Sequence, residues 1–174
     1  AYDLRSADNS TNAWTRLTNA IWILHTTPTN TIRDRLEDIY AVDRWLWFFA
    51  VENVFTDHDS YEMKGADYSF YYEPESGRFH PIEHDGNESL SRNTQHSPLY
   101  GLSALSDFQL PLLRKTLGNP ELRQRYLAHM RTVLAERFHP DYLMPILESG
   151  GCNGVAAGRI VGTLFAEGDV VEKA

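Results

Sequence analysis

Apolar residues recur every three or four positions near the start of the chain: Trp14, Leu17, Ile21 and Leu24. This spacing predicts an amphipathic helix over residues 9–25, with Asp8, Asn9 or Ser10 as its cap. Pro28 ends the pattern. A second helix is predicted beyond it, in which the same spacing is repeated by Ile32, Leu36 and Ile39.

The stretch from Val42 to Phe55 is apolar on nearly every side, since it carries Trp45, Leu46, Trp47, Phe48, Phe49, Ala50, Val51 and Val54. A helix of this composition has no broad face for solvent. We therefore expect this helix to be the buried spine of the domain.

The pattern then changes to one typical of strands. Residues 68–73, Tyr-Ser-Phe-Tyr-Tyr-Glu, are rich in the aromatic residues that strands favour. Residues 75–78 have the composition of a turn, and residues 78–83 are predicted to form the returning strand. A single β-hairpin is therefore predicted in the middle of the chain.

The C-terminal half returns to helical spacing. Residues 91–101 are polar and interrupted by Gly and Pro, which predicts an irregular surface loop. Further helices are predicted near residues 107–117, 120–138, 140–148 and 153–166. Pro120 fits the first helical position after an Asn119 cap. The predicted fold class is mainly α with a small β-hairpin, and residues 1–174 are interpreted as a single domain.

Charge and composition argue against several classes of function. The 174 residues carry a net charge of −8, whereas a nucleic-acid partner requires clustered Lys and Arg. The acidity gives no support to binding at an anionic membrane, and no apolar run is long enough to span a bilayer. Cys152 is the only cysteine, which excludes an internal disulfide framework and a cysteine-rich zinc site.

Acidic and amide side chains cluster in three short stretches around the predicted hairpin: residues 57–61, 65–68 and 84–90. Carboxylates that are folded back on one another repel unless a cation lies between them. Oxygen ligands with open coordination positions are typical of Mg²⁺ and related hard cations. The pattern therefore predicts a cation site at the hairpin.

Specific residues are candidates for this site. Asp59 follows the buried helix and could orient a hydroxyl nucleophile or accept its proton. Asp85 lies just past the second strand, beside Gly86, and could reach a metal, while Asn87 could offer an amide oxygen to the same ion. Asp67 would lie beside Asp85 if the two strands pair. Each Asp taken alone is also typical of a turn or a cap.

Other chemistries fit these residues less well. His58 and His84 each precede a candidate Asp, but no HExxH or comparable spacing is present, which favours packing or hydrogen bonding over metal ligation. The chain has no GxSxG, P-loop or GxGxxG motif. A carboxylate pair for glycoside hydrolysis stays open, with candidates at Glu52, Glu62, Glu83 and Glu88.

Three stretches resemble the CotH kinases, a family named for a spore-coat protein H. They are the apolar helix with its DxDSY-type loop at 42–61, the aromatic strand and glycine turn at 67–79, and the strand end at 81–87. Residues 120–126 are also similar to the helix that follows this family's site.

The resemblance implies the C-terminal lobe of an atypical protein-kinase-like fold, which transfers phosphate from ATP to Ser or Thr of protein substrates. Asp59 resembles the catalytic-loop Asp that orients the substrate hydroxyl. Asp85 resembles the Asp that chelates Mg²⁺ on the nucleotide phosphates, with Mn²⁺ or Ca²⁺ as alternative ions. Asp67 and Asn87 would add metal or nucleotide contacts, at positions where the family usually has Asn and a second Asp.

A kinase-like enzyme also needs an N-terminal lobe that carries a strand lysine. Lys64, Lys115 and Lys173 are the only lysines, and none lies in a predicted strand. The chain does not begin with Met, and it is interpreted as a piece that lacks the nucleotide-binding lobe of the same protein and is inactive alone. The resemblance suggests an extracellular, cell-envelope or spore-surface location.

A second interpretation uses the same residues without catalysis. Carboxylates at the ends of a hairpin can hold loops together around Ca²⁺. The chain would then be a non-catalytic structural or binding module stabilised by that ion.

Overall fold

A computed structural model describes residues 2–7, 9–90, 97–99 and 110–150. The helices are α1 (Ser10–Thr26), α2 (Ile32–Glu37), α3 (Val42–Val54), α4 (Tyr61–Lys64), α5 (Pro111–Gly118), α6 (Pro120–Thr132) and α7 (Pro140–Gly150). The strands are β1 (Tyr68–Glu73) and β2 (Arg78–Glu83). The expected fold class, mainly helical with one small hairpin, is confirmed for these residues. The predicted helix at 153–166 lies outside the described residues, as does most of the predicted loop at 91–101.

Shorter segments join these elements. Single 3-10 turns occupy Thr29–Thr31 and Gly86–Glu88, and a π-helical segment, Val133–Arg137, continues α6. The predicted caps of α1 and α6 are present: the side chain of Asn9 accepts the N–H of Asn12 at 3.0 Å, and the side chain of Asn119 accepts that of Leu122 at 3.2 Å. A cap of this kind satisfies backbone donors that the helix itself leaves unpaired.

Helix α3 is the buried spine that its composition predicts. Trp45, Phe48 and Phe49 have no solvent-accessible side-chain surface. The indole N–H of Trp45 donates to the backbone oxygen of Phe79 at 2.9 Å, so that this large apolar side chain also satisfies its polar atom. Its ring lies 5.0 Å from that of Phe70 in β1, which packs the hairpin onto the helix.

The hairpin is antiparallel, with Tyr68 opposite Glu83 and Glu73 opposite Arg78. The backbone N–H of Phe79 donates to the oxygen of Ile39 at 2.7 Å, just before α3 begins. This bond attaches the turn end of β2 to the segment before α3. Because the strands are antiparallel, the first residue of β1 and the last residue of β2 share the other end of the hairpin, where the acidic stretches lie.

Helix α6 packs along α3 and is joined to its N-terminal end by charged groups. The guanidinium of Arg125 donates to Glu37 at 2.8 Å and to Asp43 at 2.9 Å. The ring of His129 stacks on that of Trp47 at a centroid distance of 4.1 Å. In the described parts of the chain, no helix has the length and apolar character needed to cross a membrane.

Candidate active site

Asp59 lies in the turn between α3 and α4. The backbone there is anchored by the N–H of Asp57, which donates to the oxygen of Glu52 at 3.1 Å. On the other side, the hydroxyl of Ser60 accepts the N–H of Met63 and caps α4. The carboxylate of Asp59 forms an ion pair with the ammonium of Lys64. Asp59 is therefore held between two helix ends, with its charge balanced by a neighbouring lysine.

Asp67 and Asp85 flank the open end of the hairpin. Asp67 immediately precedes β1, Asp85 lies two residues beyond β2, and the terminal residues Tyr68 and Glu83 are directly paired. Both aspartates adopt left-handed backbone conformations, with φ of 46° and 58°. Such values are uncommon outside glycine, and Asp is among the residues that tolerate them best. Strand pairing thus brings the two carboxylates to one end of the hairpin, as the sequence predicts.

Asn87 lies in the 3-10 turn that follows Asp85, and both side chains are exposed. Their oxygens, with those of Asp67, have the donor chemistry that suits a hard cation. However, among the residues that the structure describes, no three or more His, Cys, Asp or Glu side chains form a group that could hold a metal ion. The donor types fit Mg²⁺, but their arrangement is not that of a preassembled site.

The structure adds a buried acidic group, made of the buried Glu52, Asp57 and Glu62 and the half-buried Glu83, whose charges act on one another. Glu52 and Asp57 are each 1% exposed, and Glu62 is fully buried. The sequence predictions placed Asp57 in the acidic stretch at 57–61 without a role of its own, and treated the three glutamates only as glycosidase candidates. Since Glu52 and Glu62 face no solvent, they cannot act as a carboxylate pair lining an open cleft. The feature of the sequence that could have indicated these buried acids is the polar pair Glu52-Asn53 inside an otherwise apolar helix.

Glu52 is the least compensated member of the buried acidic group. Among the described residues, neither of its carboxyl oxygens has a hydrogen-bond partner. The backbone N–H of Glu62 lies close enough to lower the pKa slightly, but its geometry falls short of a hydrogen bond. Burial, reinforced by the charges of Glu83, Glu62 and Asp57, raises the pKa of Glu52 well above its usual value.

The pKa values of Glu62 and Glu83 are raised as well. Burial raises the pKa of Glu62 to about 8, although Asn53 donates a hydrogen bond to it at 2.9 Å. Burial also raises the pKa of Glu83 to about 8, and the charges of Asp57, Asp67 and Asp85 add to the effect. One oxygen of each glutamate has no partner among the described residues. Both carboxyls therefore favour the protonated form at neutral pH.

Asp57 connects the buried acidic group with the exposed loops. Burial raises the pKa of Asp57 to about 6, the hydroxyl of Ser89 opposes that rise, and the charges of Asp67, Glu88 and Asp85 contribute to it. The same two aspartates act on Glu83. Asp67 and Asp85 thus lie within electrostatic range of the buried carboxyls, in a region of excess negative charge that a cation would relieve.

The two histidines of the acidic stretches differ in their surroundings. His84 is exposed, and the Nδ1 atom of His58 is buried without a partner among the described residues.

Comparison with known proteins places this chain in a family. A search of the curated proteins finds no match. The family model described as CotH kinase protein matches residues 2–150, which includes α3, the hairpin, every candidate residue and the helices α5 to α7. The match confirms the resemblance carried by the sequence motifs, and the chain belongs to the CotH kinase family.

Proposed function

We propose that the chain is the C-terminal lobe of a protein-kinase-like enzyme that transfers phosphate from ATP to Ser or Thr of protein substrates. Membership of the CotH kinase family supports kinase activity, a nucleotide, a divalent metal and protein substrates in general terms. One observation carries the finer proposal. The backbone N–H of Leu90 donates to the oxygen of Phe55 at 2.7 Å, which ties the segment after Asp85 to the turn that holds Asp59.

Asp59 is assigned to the substrate hydroxyl. Phosphoryl transfer needs the hydroxyl to be oriented and its proton accepted, and a carboxylate on a turn between two anchored helix ends is suited to both tasks. Lys64 balances the charge of Asp59 in this structure. A substrate hydroxyl would approach the carboxylate beside this lysine.

Asp85, Asn87 and Asp67 are assigned to the metal and nucleotide. A bound Mg²⁺ would neutralise charge on the phosphate oxygens during transfer. These side chains supply oxygen donors at one end of the hairpin. The carboxylates of Asp67 and Asp85 add to the negative charge around Glu83 and Asp57. The excess charge gives a physical reason for a cation to bind there.

The nucleotide-binding lysine is assigned to an N-terminal lobe outside this chain. Within the described ranges the sheet has only β1 and β2, and neither strand contains a lysine. Lys64 and Lys115 both lie in helices. Neither of these two lysines has the strand position of a kinase lysine, so the proposal assigns the lysine that contacts the ATP phosphates to another part of the same protein.

Substitution of the two main candidates in the full-length protein tests the proposal. Asp59→Ala should lower phosphate transfer by about 10²–10⁴-fold, the range typical of a lost general base. Asp85→Ala should abolish transfer with Mg²⁺ or Mn²⁺, and both variants should keep the wild-type circular dichroism spectrum. Glu75→Ala is the matched control, because Glu75 is an exposed acid at the turn end of the hairpin. Unchanged transfer in both variants, or a wild-type protein that never consumes ATP, would refute the proposal.

A Ca²⁺-stabilised module is the second candidate function. The specific observation in its favour is that a cation would relieve the excess charge at Asp57 and Glu83 whether or not chemistry follows. This function predicts a large increase in melting temperature with Ca²⁺ and none with nucleotide. The kinase function predicts an increase that requires the nucleotide and the metal together.

A further inference from the structure

One buried carboxylate contacts both segments of the candidate active site. The Oδ1 atom of Asp57 accepts the backbone N–H of Asp59 at 3.1 Å, and its Oδ2 atom accepts the hydroxyl of Ser89 at 3.4 Å. Asp57 and Ser89 are 1% and 7% exposed. The two partners lie on different segments, one in the turn after α3 and the other just past Asp85. The side chain of Asp57 therefore bridges them.

The backbone around this bridge is held in uncommon conformations. Thr56 and Leu90 have φ values of 50° and 60°, in the left-handed region. Such conformations are energetically unfavourable for residues other than glycine and persist only where the surroundings enforce them. Here the hydrogen bond from Leu90 to Phe55 and the two contacts of Asp57 supply that enforcement. The two segments are thus fixed relative to each other at one place.

We propose that Asp57 is a positioning residue, which holds the Asp59 turn and the segment after Asp85 in the relative arrangement that phosphate transfer requires. This inference rests on the proposed function. Asp57 is buried, and its carboxylate accepts hydrogen bonds from the backbone of Asp59 and the hydroxyl of Ser89. Its effect is geometric, because a displacement of about 1 Å at a catalytic group can cost about 100-fold in rate.

Kinetics of the full-length protein test the role in catalysis. Asp57→Ala removes both acceptors and should lower kcat by about 100-fold with little change in the KM for ATP. Asp57→Asn keeps one oxygen for the N–H of Asp59 and should recover a large part of that loss. Ser89→Ala removes only the contact between Ser89 and Asp57, so it should lower kcat less than Asp57→Ala does.

Asn119→Ala is the matched control for the loss of stability. Asn119 is 6% exposed and its side chain also accepts two hydrogen bonds, from the backbone N–H groups of Glu121 and Leu122. It lies at the start of α6, away from the candidate active site. Its replacement should destabilise the fold and leave kcat unchanged, whereas a wild-type kcat in both Asp57 variants would overturn the proposal.

Amide hydrogen exchange provides a readout that does not depend on activity. Asp57→Ala, or Asp57→Asn to a lesser degree, should speed exchange at Asp59 and at Leu90 together. Asn119→Ala should speed exchange only at the start of α6. Faster exchange at Asp59 with none at Leu90 would overturn the bridging role. If the wild-type protein transfers no phosphate, the proposed function fails, and exchange still decides whether Asp57 couples the two segments.

Discussion

The acidic side chains at the two ends of helix α3 have opposite surroundings, with cationic partners at one end and none at the other among the described residues. At the N-terminal end, the carboxylate of Asp43 lies 2.9 Å from Arg125 and 3.0 Å from His129. The hydrogen bond from His129, helped by Arg125, lowers the pKa of Asp43 despite its partial burial. At the C-terminal end, Glu52 is buried without a hydrogen-bond partner among the described residues, and its pKa is raised.

The helix dipole strengthens this difference. A negative charge is stabilised in the first turn of a helix, where Asp43 lies, and destabilised in the last turn, where Glu52 lies. The compensated end contributes to stability as an ordinary surface network does. The uncompensated end contains buried carboxyls that reduce the stability of the fold, a feature that is typical of functional sites. The contrast therefore distinguishes the structural end of α3 from the end that carries the candidate chemistry.

The two ends respond to pH with opposite sign. A carboxyl whose pKa is raised on folding binds more protons in the native state, so the stability falls as pH rises from its unfolded to its folded pKa. For Glu62 that interval runs from 4.5 to about 8. A carboxyl whose pKa is lowered, such as Asp43, contributes stability above its unfolded pKa that is lost as pH falls through its folded pKa.

The largest expected effect is on the pH dependence of the stability, through the carboxyl of Glu62. In the wild type this carboxyl should reduce the free energy of unfolding by up to about 1.4 kcal/mol per pH unit across its interval. Glu62→Gln keeps an oxygen for the amide of Asn53 but no longer titrates, so its stability curve should be flatter than that of the wild type between pH 4.5 and about 8. Urea unfolding at pH 5, 7 and 9 measures the difference. Parallel curves for the two proteins would contradict the buried-acid interpretation.

A smaller effect is expected from removing the uncompensated acid itself. Glu52→Met has a similar shape and no polar oxygen, so it should raise the free energy of unfolding at pH 7 by about 1–3 kcal/mol, the usual cost of a buried unsatisfied group. Thermal and urea unfolding measure the gain. A loss of stability would mean that the carboxyl of Glu52 has a partner in the protein, and the contrast between the two ends of α3 would disappear.

The smallest effect is expected at the compensated end. Arg125→Ala removes the partner of Glu37 and Asp43, but the side chain of Arg125 is 39% exposed, and such pairs are worth little in water. The free energy of unfolding should fall by about 1 kcal/mol, and the difference should shrink in 1 M salt, because exposed charges are screened. A loss of several kcal/mol without salt dependence would show that this end is not an ordinary surface network.

The elements that local pattern controls could be predicted from the sequence. The apolar run in α3, the aromatic strands of the hairpin and the Asn119 cap depend on neighbours within a few residues, and each is present. The placement of Asp67 and Asp85 at one end of the hairpin also follows from strand pairing alone. The motifs were sufficient to identify the family, which the match to residues 2–150 confirms.

The role of Asp57 could not be predicted in this way. A single Asp before a short helix has the same pattern whether it caps a turn or bridges two segments. Its contact with Ser89 spans 32 residues, and nothing in the intervening sequence indicates it. The partner of Asp59 was also missed, since a contact with Lys64 five residues away follows from the tight turn of α4 rather than from a periodic pattern.

The amino-acid sequence by itself determined the order and type of the longer helices and the two strands, the family, and which side chains stand at the ends of the hairpin. Periodicity and strand pairing are local properties of the chain, and they need no knowledge of the packing. Only the tertiary structure decided which acids are compensated and which are buried alone. The pKa and the hydrogen bonds of a carboxyl depend on groups brought together from distant segments, as Asp43 with Arg125 and Asp57 with Ser89 show.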